Sequence, residues 1–84
     1  MKFAESVKNV VRTIPSGKTM SYKEVAIAAG SPQAARAVAR IMSRNFDNTV
    51  PCHRVVRSDG SLGGYNRGGL KEKARLLQNE GAIV

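Results

Sequence analysis

Cys52 and His53 are neighbours, and they are the only cysteine and the only histidine in the chain. A thiol next to an imidazole can do nucleophilic chemistry: the thiolate attacks and the ring takes the proton. A free thiol titrates near about 8.5, so a buried Cys without a base or an electropositive site would be inert. His53, Arg54 and the start of a helical turn could supply that help. Val50, Val55 and Val56 flank the pair and demand burial. A lone Cys is more often a packing residue. Pro51 before it and His53-Arg54 after it weigh against that reading, because three such residues together are costly in a core. An imidazole also needs orientation. Glu80 and Glu72 are the carboxylates of the basic C-terminal segment, and Glu80 equally reads as a solvated helix-end charge.

Several elements must position these groups. Phe3, Val7, Val10, Val11 and Ile14 recur at the spacing of one helix face, predicting a helix over Lys2 to Ile14, with Phe3 its only large anchor. Pro15-Ser16-Gly17 stops it. Thr19-Met20 leaves room for no more than a stub of strand. Ser21-Tyr22-Lys23-Glu24 has the form of a capping box, so a second helix starts at Tyr22 and ends at Gly30. Ser31 then reads as the cap of a third helix, with Pro32 at its first position. That helix should run to about Arg44, with Ala35, Val38, Ile41 and Met42 facing inward. A last helix is expected over Leu70 to Glu80, with Leu70, Leu76 and Leu77 packing and Gly81 beyond its end.

Two short helices joined by a Gly-containing turn read as a helix-turn-helix. In the second of them, Ala34, Ala35, Ala37 and Ala39 surround one long side chain, Arg36. So smooth a surface permits close approach to a partner, although Ala is also simply the best helix former. The expected fold is mainly α, a small winged-helix-like domain with little or no β structure, occupying residues 1–84.

Composition narrows the function. Fourteen Lys and Arg against six Asp and Glu leave +8 on 84 residues. Folding does not need such a charge; it points to a polyanionic partner. A hydrophobic fraction of 42% argues against a disordered basic tail, and 5% aromatics without Trp argue against a sheet that stacks RNA bases. One Cys excludes an internal disulfide, and one Cys with one His excludes an ordinary zinc cage. No apolar run approaches the roughly 20 residues of a membrane span. A soluble protein of a reducing compartment is expected, in the cytoplasm beside the nucleoid or in a nucleus.

Pro51-Cys52-His53-Arg54-Val55 resembles the active-site signature of the O6-alkylguanine-DNA alkyltransferases. The likeness extends along the chain through Ser21-Tyr22, Ala34-Ala35-Arg36-Ala37-Val38, Asn45, Asp59-Gly60, Gly63-Gly64-Tyr65, Lys73, Leu76-Leu77 and Glu80-Gly81. It corresponds to the family's C-terminal DNA-binding and catalytic domain. The N-terminal domain of many members has no counterpart here, so a minimal form or an excised domain is expected. The loop from Asn45 to Pro51 is one residue shorter than in familiar members, with Asp47 and Asn48 in place of a more apolar run.

The resemblance implies roles. Cys52 would accept the alkyl group, His53 would be its general base through a water, and Glu80 would orient the imidazole. Asn45 would brace the turn that presents Cys52, and Tyr22 would donate to guanine N3. Arg36 would fill the stack after the lesion swings out. Ala34, Ala35 and Ala37 would line the minor groove together with Ser21 and Arg40. Pro51, Val55, Tyr65 and Asn66 would shape the substrate pocket, Asn66 and Val55 through their backbone. Cys52 should sit in a small site walled by Val50, Val55 and the Asn45 loop. The implied reaction is single-turnover transfer from O6-alkylguanine, with O4-alkylthymine as a related lesion, in flipped-out duplex DNA. No metal or other cofactor is implied, and a monomer is expected. Two alternatives stay open. One is a lesion-binding module like the alkyltransferase-like proteins, which typically carry Trp where Cys52 stands. The other is an ordinary helix-turn-helix transcription factor, which would leave Pro51 to Val55 and Glu80 unexplained.

Overall fold

Four helices and one two-stranded parallel ladder make up the chain in the computed structural model, which describes residues 2–45, 47, 49–59, 61–63 and 68–82. Helix α1 spans Phe3–Arg12 and buries Val7 and Val11 completely, with Ile14 just beyond its end. These positions lie one or two turns apart on one face, which is why the segment coils as a helix. Phe3 and Val10 pack at the margin of the same core. The Thr13 N–H closes the last turn on Val10 O, and a turn follows in which Lys18 N–H donates to Pro15 O at 3.1 Å. Gly17 takes φ +89° there, a conformation that a side chain would strain.

Strand β1, Met20–Ser21, runs straight into α2, Tyr22–Ala28. Both halves of the capping box are formed: Glu24 N–H donates to Ser21 Oγ at 3.0 Å, and Ser21 N–H donates to Glu24 Oε1 at 2.9 Å. The helix ends in a Schellman motif, with Ser31 N–H on Ala26 O and Gly30 N–H on Ile27 O. Gly30 supplies the left-handed residue that the motif needs, at φ +90°.

Helix α3 is Ala35–Ser43, so its start differs from the sequence expectation. Ser31 does not cap it and Pro32 is not its first residue. Ala34 N–H donates to Ser31 O at 2.9 Å, which makes Ser31 to Ala34 a tight turn with Pro32 at its second position. The fixed φ of Pro suits that position as well as it suits a first helical turn. Val38 and Met42 are the buried residues of α3, with Ile41 and Ala35 half-buried. Helices α1, α2 and α3 pack on one another as a three-helix unit, and α2–turn–α3 is the expected helix-turn-helix.

The chain then returns through a single 3-10 turn, Cys52–Arg54, into strand β2, Val55–Val56. Met20 pairs with Val55 and Ser21 with Val56. This short ladder sets the Cys52 turn beside the start of α2. Helix α4, Gly69–Asn79, packs against that turn as well. It also ends in a Schellman motif, with Ala82 N–H on Leu77 O, Gly81 N–H on Gln78 O and Gly81 at φ +77°. Leu70 was expected to pack inward but is 54% exposed; the buried face of α4 is formed by Leu77 and, unexpectedly, Lys73. Among the described residues no helix is long and apolar enough to cross a membrane.

Candidate active site

Cys52 opens the 3-10 turn and is 5% exposed, in the same cluster as Val50 and Val55. The peptide before it bends sharply: Pro51 adopts φ −77°, ψ 68°, and Cys52 N–H donates back to Val50 O at 2.8 Å. That is the geometry of an inverse γ-turn, which Pro pre-forms. Asn45 is buried at the end of α3, and its amide donates to Val50 O at 3.4 Å. Its Oδ1 accepts from Asp47 N–H at 3.3 Å. Asp47 in turn pairs with Arg12 of α1 at 3.3 Å and accepts from Thr49 N–H. The loop is thus tied by four contacts, and its exit fixes Val50, Pro51 and Cys52.

His53 Nε2 lies 3.0 Å from Glu80 Oε2. Glu80 caps the C-terminus of α4, so the Schellman motif there delivers the carboxylate to the imidazole. Hydrogen bonding from Arg54, aided by His53, holds the Glu80 carboxyl at about 2, well below its ordinary 4.5. An ionised carboxylate only accepts hydrogen bonds, so Nε2 must carry hydrogen. In the neutral ring Nδ1 is then the basic nitrogen.

Arg54 does not act on the thiol in the way the sequence suggested. Its Nε donates to Glu80 Oε1 at 3.0 Å and its Nη2 to Glu80 Oε2 at 2.6 Å, a two-pronged fork. Nη1 donates to Ile14 O at 2.9 Å. The Gly17 turn closes over the same place, where a Cβ would stand 3.1 Å from Glu80 O.

Lys73 is the second residue whose role the sequence did not reveal. It is wholly buried; Nζ donates to Val55 O at 2.7 Å and sits 5.9 Å from the centre of the Tyr22 ring. Burial lowers it from 10.5 to about 8, and the charge of Cys52 acts in the opposite sense. Tyr22 is raised by burial, with Arg57 lowering it and Cys52 raising it further. A carbonyl has two lone pairs, so Val55 O retains acceptor capacity beyond the Lys73 bond. Gly63 closes on Tyr22: a Cβ there would lie 2.9 Å from the phenol oxygen. Beside it Arg57, Ser61, Leu62, Gly63 and Leu70 line a cavity of about 420 Å³.

The structure thus gathers Cys52, His53, Glu80, Asn45, Tyr22, Val55 and Pro51 around one turn. Arg36 and Arg40 project from α3 into solvent, Ala35 and Ala37 are half-buried along it, and Ala34 is half-buried just before its first residue. Ser21 is 8% exposed with its hydroxyl engaged in the capping box. Tyr65 and Asn66 lie outside the described residues. No group of three metal-ligating side chains occurs among the described residues.

Comparison with known proteins places these residues in context. The family model described as "6-O-methylguanine DNA methyltransferase, DNA binding domain" matches residues 2–82. The methylated-DNA–protein-cysteine methyltransferase of Methanothermobacter thermautotrophicus is 49% identical over 85 residues, covering 99% of this chain and 46% of that protein. A crystal structure of Mycobacterium tuberculosis OGT in complex with DNA superimposes with a TM-score of 0.89 at 43% identity, over 95% of this chain and 49% of that one. S. pombe Atl1, in complex with damaged DNA containing O6-carboxymethylguanine, gives a TM-score of 0.85 at 31% identity, over 96% of this chain and 80% of that one. The chain spans about half or less of the length of the methyltransferases it matches.

Proposed function

The chain belongs to the 6-O-methylguanine DNA methyltransferase family, and from that premise we propose that it repairs duplex DNA by moving an alkyl group from O6 of guanine to Sγ of Cys52. The observation that carries this reading is a buried thiol, the imidazole next to it in the chain and an ionised carboxylate 3.0 Å from that imidazole. His53 accepts the thiol proton at Nδ1, through a bridging water, while its Nε2–H stays on Glu80. The thiolate attacks the O6-alkyl carbon in line. The S–C bond forms as the C–O6 bond breaks, and the electron pair leaves with the guanine. Tyr22 donates to N3 as charge grows on the departing base, which then takes up a proton. The thioether has no easy return path, so one protein molecule removes one lesion. Val55 O offers its remaining lone pair to an amino group on the guanine edge.

A thiol this deeply buried cannot reach a stacked base, so the lesion must be flipped out of the duplex. Helix α3 serves that step. Its Ala34, Ala35 and Ala37 surface is thin enough to enter the minor groove, and Arg36 takes the vacated place in the stack. Lys18, Lys23 and Arg40 are exposed and add phosphate contacts.

Intact mass after mixing with a duplex that contains O6-methylguanine tests the reading. A gain of one methylene, mapped to Cys52, is expected. Lesion binding without any gain would instead favour the Atl1-like reading.

A further inference from the structure

Glu80 has one carboxylate oxygen with two donors. Oε2 lies 3.0 Å from His53 Nε2 and 2.6 Å from Arg54 Nη2, while Oε1 receives Arg54 Nε. The same guanidinium reaches Ile14 O with its remaining arm. We propose that Arg54 is a positioning residue of the transfer reaction: it fixes Glu80 against the α1–β1 connection and balances its charge, so that Glu80 orients His53 without making it hold a proton too tightly. The proposal rests on the alkyl-transfer reading above.

The physical requirement is a conflict within the pair. A carboxylate beside an imidazole orients the ring but also favours the imidazolium. An imidazolium cannot accept the Cys52 proton. A base must therefore be oriented by an anion whose charge is largely spent elsewhere. Arg54 meets both needs because its planar fork engages the two carboxylate oxygens at once. Lys would supply the charge but not the fork. The groups facing Glu80 are consistent with this division. The 3-10 turn brings His53 and Arg54, and these are the ionisable groups that act on its charge. The α1–β1 connection meets the pair through backbone, at Ile14 O with Arg54 and at Gly17 beside the Glu80 main-chain oxygen. From the body of α4, Lys73 donates to Val55 O and is not among the groups that shift Glu80. Arg54 is itself held charged, chiefly by its hydrogen bond to Glu80. The side chains of Arg54 and Glu80 are only 18% and 16% exposed, so solvent does not readily replace either partner.

The chain has one histidine, so its ring resonance in an NMR titration is unambiguous. That titration and the pH dependence of transfer to Cys52 are measured for the wild type, Arg54→Gln and Arg54→Lys. Arg54→Gln should move the His53 midpoint up by about one pH unit or more. The acid limb of its transfer profile should follow, with a loss of about tenfold at neutral pH that higher pH partly restores. Arg54→Lys should keep the midpoint near that of the wild type and still transfer more slowly at every pH, since charge is kept and the fork is lost. An unmoved midpoint in Arg54→Gln, or a loss independent of pH, overturns the proposal. If Arg54→Gln does not fold, Arg54→Lys decides: a wild-type transfer rate in it overturns the role of the fork. Should the wild type transfer nothing, the parent reading falls, while the titration still reports whether Arg54 sets the proton affinity of His53.

Discussion

Methylating Cys52 should destabilise this domain, and the packing around the sulfur sets the size of the effect. Cys52 is 5% exposed and clusters with Val50 and Val55, both at 0%; Asn45, at 2%, grips Val50 O. A methyl group added there gains about 0.8 kcal/mol from burial. Forcing it into a filled site costs about 1–3 kcal/mol. The cost wins, leaving a net loss of roughly 1 kcal/mol. In a domain of 60–100 residues each kcal/mol lowers Tm by about 4–8 °C, so methylation should lower it by about that much. A benzyl group should lower it further. The displacement also has a direct route to α3, the helix proposed to enter the minor groove, because Val50 is held by Asn45, whose N–H donates to Met42 O at the end of α3. The alkylated protein should therefore bind duplex DNA more weakly. Thermal melts by circular dichroism of the unmodified, methylated and benzylated forms measure the effect. The lone thiol can also be alkylated chemically, which makes the measurement independent of repair activity. Melting points that coincide, or that rise with alkyl size, would show that the site is roomy and that the reasoning is wrong.

Other outcomes follow from the same geometry. Arg36→Ala should slow repair of a duplex lesion at least tenfold while leaving reaction with free O6-benzylguanine nearly unchanged, because the free base needs no extrusion; equal losses on both substrates count against the wedge. Glu80 is depressed to about 2 from 4.5, so its stabilisation is complete above about 4.5 and disappears as pH falls through about 2. In urea titrations Glu80→Gln should thus cost roughly 1–3 kcal/mol at pH 7 and almost nothing near pH 2; a difference independent of pH contradicts the linkage. Lys73→Met keeps the apolar stem but removes the hydrogen bond to Val55 O and a positive charge near Cys52. It should slow transfer severalfold in a folded protein, and an unchanged rate would make Lys73 purely architectural. Binding to undamaged duplex should weaken steeply with salt, reporting several neutralised phosphates; a flat response would remove the basic surface from the mechanism.

What the sequence revealed and what it hid separate along a physical line. The capping box at Ser21–Glu24 and the glycines at positions 30 and 81 are local signals, complete within five or six residues, and each lies where the pattern placed it. The start of α3 was misread for an equally local reason: one Pro geometry serves both a first helical turn and the second position of a tight turn. Lys73 was invisible because a lysine on a helix is read as exposed, and only Val55 O and the Tyr22 ring, supplied by distant segments, make its burial tolerable. Leu70 carried the opposite error, since its heptad-like spacing from Leu77 says nothing about whether a neighbour covers the first turn of α4. Arg54 shows the limit most sharply. Its type and place beside His53 were plain, and they suggested a cation for the thiol. Its partner lies 26 residues away, and its third arm binds a backbone carbonyl 40 residues away. Residue type can nominate a charge for a site, but only the fold decides which partner it is spent on, and here the Arg54 guanidinium is spent on Glu80.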